Sequence, residues 1–381
     1  MSNLLTKPST IVIAAGGTGG HFFPAEALAD ILYHRGHTLV LMTDIRTGIR
    51  KTGVFSSCKQ YVLPGSGVVG RSPLRAASAG LTLLHSAWKA RQIFTTLSPD
   101  IVIGFGGYSS VPPIIGARLL NRQRPILILH EGNAVLGRAN ALLSRFADVI
   151  ATSFPSVARL PKDAQVMFTG MPIRPSIAAL AHKPWIPLTN NSDRINLLVW
   201  GGSLGAHIFS YVVPQAIGQL PDFLRKRIHI FQQARQEDVE SVRTAYSNLG
   251  VIAHIEPFFH HVTDLLKKAH LVIGRSGGSS VAEITAAGRP SILVPLPFAA
   301  SDEQTANARV ITQANAGWMI PQSDFTAVTL ATQLENLFTN PEKITLAAQA
   351  AAKLARPHAA EHLANVLEEY LVFSSHRFTS L

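Results

Sequence analysis

The sequence predicts an α/β protein built from two doubly wound, parallel-sheet domains in tandem. Three observations carry this. Short, continuously apolar segments alternate with helical stretches through the first half, as strands do in a parallel sheet covered on both faces. Near Gly170 the same syntax starts again. The two halves also share a signature: Ile101 to Val111 reads IVIGFGGYSSV, and Leu271 to Val281 reads LVIGRSGGSSV. The 381 residues, 47% of them hydrophobic, are enough for two separate cores.

Taken in order, Ile11 to Ala15 (IVIAA) form the first strand, and Gly16-Gly17-Thr18-Gly19-Gly20-His21 follow as a glycine-rich turn. A helix is expected from Pro24, with proline early and Glu26 in its first turn. Strand, glycine turn and helix N-terminus make an anion site, because glycines let the backbone approach an oxygen and first-turn N–H groups point at it. His21 stands at its mouth; the alternative is a tight βα turn with an exposed histidine. Further strands are expected at 38–43, 100–104, 125–130 and 148–152, with the loops Phe105–Ser110 and His130–Asn133 at strand ends. Residues 170–193 carry four prolines and the run Thr189-Asn190-Asn191-Ser192, and read as a linker. Beyond it, a strand at 195–200, a glycine turn at 201–205 and a helix from Ala206 open the second half. A strand at 271–274 then leads into a Gly/Ser loop, with Glu283 expected in the first turn of the next helix. Every glycine loop lies at a C-terminal strand end, where such sheets bind ligands, so the two domains can face each other across one cleft. The expected boundaries are 1–170 and 171–356, with a helical tail at 357–381 that packs back on the first domain.

Composition narrows the partners. The net charge is +11, and residues 1–170 hold 17 Lys and Arg against 7 Asp and Glu, whereas the rest of the chain is nearly balanced. A basic first half suits an anionic partner, either a membrane surface or nucleic acid. Aromatics are 7% and no stacking platform interleaved with Lys or Arg is present, which argues against RNA. Leu74, Ala77, Leu81, Leu84 and Trp88 recur at helical spacing, flanked by Arg71, Arg75, Lys89 and Arg91. That pattern fits a helix lying in an anionic headgroup plane, or an apolar stripe packed on its own domain. No stretch has the ~20 apolar residues of a spanning helix. Residues 1–10 have no apolar h-region, so no signal peptide is expected. The single Cys58 allows no internal disulfide and fits a reducing compartment.

The chemistry-bearing residues point to phosphate recognition. Two glycine turns and a Gly/Ser loop could cradle a diphosphate through backbone N–H and serine hydroxyls, with Arg174 and Arg275 to neutralise it. There is no G-K-[ST], and Gly16 to Gly20 lack the G-x-G-x-x-G spacing. No D-x-D clamp for a metal-bound nucleotide exists, and His260-His261 has no thiolate or acid at ligand spacing, so no metal site is expected. Glu283 either favours its helix dipole or accepts ribose hydroxyls. Glu131, Asp302 and Glu303 are further acids, each with a plain alternative as a loop or helix cap.

At this point the residues match a family. GGTGGHFFPA (Gly16 to Ala25), GFGGYSSVPP (Gly104 to Pro113), HEGNAVLGRAN (His130 to Asn140), GMPIR (Gly170 to Arg174), GGSLGA (Gly201 to Ala206), RSGGSSVAE (Arg275 to Glu283) and the segment Asp302 to Asn307 span nearly the whole chain. In this the sequence resembles the bacterial family-28 glycosyltransferases that add N-acetylglucosamine to the lipid-linked muramoyl pentapeptide. The resemblance implies a GT-B fold of two Rossmann-like domains and an inverting transfer that needs no metal or other cofactor. The donor would be UDP-N-acetylglucosamine and the acceptor the undecaprenyl-linked muramoyl pentapeptide, at the cytoplasmic face of the inner membrane, with the protein peripheral. It implies that Thr18, Gly19 and Gly20 face the donor sugar and diphosphate and that Asn133 contacts the sugar. Arg174 and Ser203 would hold the diphosphate, and Phe259 would lie by the uracil. Gly278, Ser279, Ser280 and Glu283 would hold the nucleoside, and Gln304 and Asn307 the sugar. His21 is the first choice of base and Glu131 the second. The chain departs from the family's usual HEQN at Gly132 and from its GNP at Met171. A UDP-sugar 2-epimerase would use the same nucleotide loops but has no need of a basic, membrane-facing half.

Overall fold

The structure, a computed structural model, describes residues 8–17, 19–64, 73–121, 124–188, 194–202, 205–297 and 301–378. Thr18 and Ser203 lie outside the described residues, as do the side chains of Leu74 and Ala77. The chain divides into two compact units, one of residues 1–174 with 358–381 and the other of residues 175–357.

The first unit is a seven-stranded sheet, β1 (Thr10–Ala14), β2 (Thr38–Asp44), β3 (Lys59–Leu63), β4 (Ile101–Gly104), β5 (Ile126–Glu131), β6 (Val149–Thr152) and β7 (Val166–Phe168), in the order β3-β2-β1-β4-β5-β6-β7. The strands are paired in parallel throughout. The two-residue alternation of a strand sends Ile11, Ile13 and Ala15 to one core and Val12 to the other. The first core is covered by the helix Gly19–His34 and by the C-terminal helix Ala359–Phe378, whose Leu363, Ala364 and Leu367 are buried there. Arg35 donates to Glu368 at 2.6 Å and to Asn365 at 2.8 Å, which fixes the tail to this unit.

The second core lies under the helices Pro73–Leu97 and Val111–Arg118, with Ala90, Phe94, Ile114 and Ala117 buried against Val12 and Val102. These helices meet closely: a Cβ at Gly116 would stand 2.7 Å from the Ala87 carbonyl and 2.8 Å from the Ala90 Cβ. Small residues at 87, 90 and 116 are what permits that approach.

The second unit repeats the plan with six parallel strands: β8 (Ile195–Trp200), β9 (Ile228–Gln233), β10 (Ile252–Glu256), β11 (Leu271–Gly274), β12 (Ser291–Leu293) and β13 (Gly317–Met319), ordered β10-β9-β8-β11-β12-β13. The order reverses between β1 and β4 in the first unit and between β8 and β11 in the second. The two matching sequence signatures are thus the fourth strand of each sheet with its loop, at the switch points where doubly wound sheets bind ligands.

Two local expectations differ from the structure. The first helix starts at Gly19, not at Pro24, so Pro24 lies inside it and no acid occupies its first turn. The turn is completed earlier because Gly17 takes φ +82° and donates its N–H to Thr47 Oγ1 at 2.8 Å. Residues 170–193 are also more than a linker: the short helix Pro175–Ala178 and the turn Ala179–His182 follow, and Ile177, Leu180 and Leu188 are buried in the second unit. Apolar residues spaced between the prolines supply that anchorage.

Candidate active site

In the first unit the site grows from the ends of β1, β4 and β5. His21 is the third residue of the helix Gly19–His34, half-buried, with its ring over the loop that leaves β4. A Cβ at Gly106 would stand 3.5 Å from His21 Cδ2 and Nε2, and one at Gly107 3.5 Å from Nδ1. Both glycines have positive φ, +83° and +68°, so the loop is made to pass close beneath an imidazole. Around the same turn the hydroxyls of Thr43 and Ser109 are buried with no protein partner. A Cβ at Gly16 would come within 2.9 Å of Thr43 Oγ1 and 3.1 Å of the Ser109 Cβ. Thr43 lies in no sequence motif, whereas Ser109 belongs to the GFGGYSSVPP stretch.

At the end of β5 the loop 130–140 is organised by one carboxylate. Glu131 is 2% exposed. Its Oε1 accepts from the Asn133 N–H at 3.0 Å and from Asn133 Nδ2 at 3.2 Å. Its Oε2 accepts from the Gly137 N–H and from Asn140 Nδ2, each at 2.9 Å. Burial pushes its pKa up, and these hydrogen bonds pull it back. Asn133 therefore sits next to Glu131 as the spacing requires, whereas Glu131, the second choice of base, is taken up within its own loop. The preceding His130 is buried against the Phe105 ring, 5.1 Å between centroids, with Nε2 3.2 Å from Ser153 Oγ. Burial lowers its pKa to about 4, so it is neutral at pH 7.

Arg174 closes this side. Its guanidinium lies 5.1 Å over the ring of Phe23, and a Cβ at Gly19 would meet the same ring at 2.8 Å. Phe23 thus props a cation beside the helix N-terminus, a role not foreseen from sequence although Phe23 lies inside the GGTGGHFFPA stretch. Glu26 on the same helix has its pKa raised by burial, with Arg50 and Arg174 opposing the shift.

In the second unit, β11 runs into Arg275-Ser276-Gly277, and the helix Gly278–Ala286 starts from an extended Gly277 with no side-chain cap. The N–H groups at Gly278, Ser279 and Ser280 are the uncapped first turn that an anion or a ribose oxygen can occupy. Ser276 is buried and its hydroxyl has no protein partner. Glu283 is buried in the second turn rather than the first, which removes the helix-dipole explanation for it. Asn307 is fully buried and donates to the Ser276 carbonyl at 2.9 Å. Gln304 accepts from the Leu296 N–H at 3.0 Å. Both side chains tether the loops next to the helix, Asn307 directly beneath its start. Phe259 is buried at the end of the β10 loop. Arg275 is not available to a diphosphate: it donates to the carbonyls of Val294 and Pro295 and to Gln322 Oε1 at 2.7 Å, and it stacks over Phe209. Burial lowers its pKa to about 10, still far above neutrality. The apolar strand ends around it need their carbonyls satisfied, and Arg275 does that.

On the surface of the first unit, the helix Pro73–Leu97 turns Ala79, Ala87, Ala90 and Phe94 inward. Leu81, Leu84 and Trp88 are 68%, 62% and 53% exposed. Arg91 stacks on Trp88 at 5.0 Å and donates to the Leu119 carbonyl at 3.1 Å. Of the two alternatives for this stripe, packing on its own domain therefore fails for these three residues. Among the described residues no helix is long and apolar enough to cross a membrane, and no group of three metal-ligating side chains is gathered.

The comparisons with known proteins cover both units. The glycosyltransferase family 28 N-terminal domain matches residues 11–152, and the family's C-terminal domain matches residues 196–363. A protein of Gluconobacter oxydans strain 621H, named UDP-N-acetylglucosamine–N-acetylmuramyl-(pentapeptide) pyrophosphoryl-undecaprenol N-acetylglucosamine transferase, is 55% identical over 95% of this chain and 98% of its own length. A protein of the same name from Granulibacter bethesdensis is 49% identical over 95% of this chain and 94% of its own. Among solved structures, the crystal structure of Acinetobacter baumannii MurG superposes with a TM-score of 0.75 at 29% identity, covering 95% of this chain and all of that one.

Proposed function

The chain belongs to glycosyltransferase family 28, and we propose that it transfers N-acetylglucosamine from UDP-N-acetylglucosamine to the undecaprenyl-linked muramoyl pentapeptide, the step that makes lipid II in peptidoglycan synthesis. The acceptor hydroxyl oxygen attacks the anomeric carbon, the bond from that carbon to the diphosphate breaks, and UDP leaves with the electron pair. The hydroxyl proton goes to His21. One observation carries this assignment: an imidazole in the first turn of a helix, seated over two positive-φ glycines at the switch point of its sheet. A base there acts where the helix N-terminus also favours developing negative charge.

The other roles follow the chemistry of each loop. Gly19, Gly20 and Arg174, propped by Phe23, face the diphosphate and sugar, and Asn133 binds the sugar. The first turn at Gly278, Ser279 and Ser280 with Glu283 receives the nucleoside, Phe259 borders the base, and Asn307 and Gln304 hold those loops in register with the sugar. The direct test is steady-state kinetics of His21→Gln. A general base contributes about 10²–10⁴-fold, so kcat should fall in that range while UDP affinity stays near wild type. A kcat near wild type in this variant would remove His21 from the role.

The acceptor's lipid brings the enzyme to a membrane. Leu81, Leu84 and Trp88, exposed on a helix with Lys89 and Arg91 beside them, suit an anionic headgroup plane, and the basic excess of the first half acts in the same direction. The protein then works as a peripheral enzyme at the cytoplasmic face of the inner membrane.

A further inference from the structure

We propose that the Glu131 carboxylate and the Asn140 amide are a positioning pair that builds the 130–140 loop, orients Asn133 and supports the floor under His21, and that Glu131 takes no proton from the acceptor. This rests on the reading of Asn133 as a sugar contact and His21 as the base.

The geometry points there from three sides. First, each Glu131 oxygen already accepts two N–H donors, at 2.9 to 3.2 Å, which fills the acceptor capacity of a carboxylate. A base needs an oxygen within reach of the acceptor hydroxyl, and a carboxylate 2% exposed offers none. Second, the donors are the loop itself. Asn133 contributes both its backbone N–H and its side-chain amide, so Glu131 sets which end of that amide faces inward. Gly137 contributes the N–H just before the helix Arg138–Leu143, and a Cβ there would be 3.4 Å from Glu131 Oε2. Third, Asn140 ties the loop's two ends together. It is buried, and its Nδ2 donates both to Glu131 Oε2 at 2.9 Å and to the His130 carbonyl at 3.0 Å. The same Nδ2 lies 3.6 Å from where a Gly106 Cβ would be, and His21 lies 3.5 Å from that point. Asn140 and His21 therefore border one glycine, and the network reaches the imidazole through it.

The test compares Glu131→Gln, Asn140→Ala and the double variant in the full chain, with UDP-N-acetylglucosamine and a lipid-linked muramoyl pentapeptide. Gln puts an amide N–H₂ against groups that are themselves donors, and Ala removes the tie to His130. Each single variant should raise the donor KM about ten- to a hundredfold, as expected for lost hydrogen bonds to a charged group. The acidic limb of the kcat–pH profile should stay where it is in the wild type. The double variant should lose no more than the worse single one, because the two residues act as one unit. The proposal is overturned if Glu131→Gln abolishes the acidic limb with donor KM unchanged, or if Asn140→Ala is kinetically wild type. Should Glu131→Gln fail to fold by circular dichroism, the Asn140→Ala result alone decides. Asn133→Ala and His21→Gln are measured in parallel. If those two are wild type while the Glu131 and Asn140 variants are not, the assignments of Asn133 and His21 fail and the loop-building role stands.

Discussion

At the scale of single residues, the proposed function divides between groups that would touch substrate and groups that hold them still. We assign Glu283 to the first kind. Its Ala variant should weaken UDP-N-acetylglucosamine binding by about 1.5–3 kcal/mol, the value of hydrogen bonds to a charged group, with the fold retained. Titration calorimetry checks this, and an unchanged Kd would remove Glu283 from the donor site. His130 belongs to the second kind, and its burial makes a stability statement. Its pKa is about 4 folded and 6.5 when unperturbed, so the unfolded chain binds the extra proton between those values. Stability from this group is therefore full above pH 6.5 and is lost as pH falls toward 4, by up to about 3 kcal/mol. Urea unfolding of wild type and His130→Gln across that window should show the wild type's advantage growing as pH rises; a constant difference would contradict it. Legibility followed the same division. His21, Asn133 and Glu283 could be picked out because their motifs are local in sequence. Phe23 and Asn140 could not, because their roles are contacts made only after the chain has folded. The two departures from the family pattern show this best. A Cβ at Gly132 would lie 2.8 Å from Met171 Cε, so the two positions, 39 residues apart, share one space.

At the scale of elements, periodicity found the strands that are wholly apolar, such as β1, β4 and β11, and passed over those that are mixed or short. β9 reads IHIFQQ and β10 IAHIE, with histidines and glutamines breaking the run, and β12 and β13 have three residues each. Helix starts were displaced where glycine did the work that sequence rules give to proline and acids, as at Gly19. The helix Pro73–Leu97 has two faces: alanines at 79, 87 and 90 pack inward with Phe94, and Leu81, Leu84 and Trp88 point out. The proposed membrane contact would bury Leu81, Leu84 and Trp88 in headgroups. Wild-type protein should sediment with anionic but not neutral vesicles, and less so in high salt. Leu81→Glu combined with Trp88→Glu should release it while activity on a soluble acceptor survives, since exposed substitutions cost the fold little. Continued sedimentation of that variant would show that another surface makes the contact.

At the scale of the whole molecule, the two units are variations on one plan. Each is a parallel sheet whose strand order reverses beside a glycine loop, and in each the loop after the fourth strand is anchored by a buried side chain: Ser110 donating to the Ala14 carbonyl at 3.1 Å in one, Asn307 to the Ser276 carbonyl in the other. The units share a plan but not a charge: nearly all the excess lies in the first half, where the acceptor's lipid is expected. The central claim is sugar transfer to that lipid-linked acceptor. It is tested most directly by incubating the purified chain with UDP-N-acetylglucosamine labelled in the sugar, with and without the lipid-linked muramoyl pentapeptide, and following both label and UDP. The account predicts label in the lipid fraction and one UDP released per sugar transferred, only when acceptor is present. Release of UDP with a free, epimerised sugar in the absence of acceptor, or no label in lipid when acceptor is supplied, would contradict it.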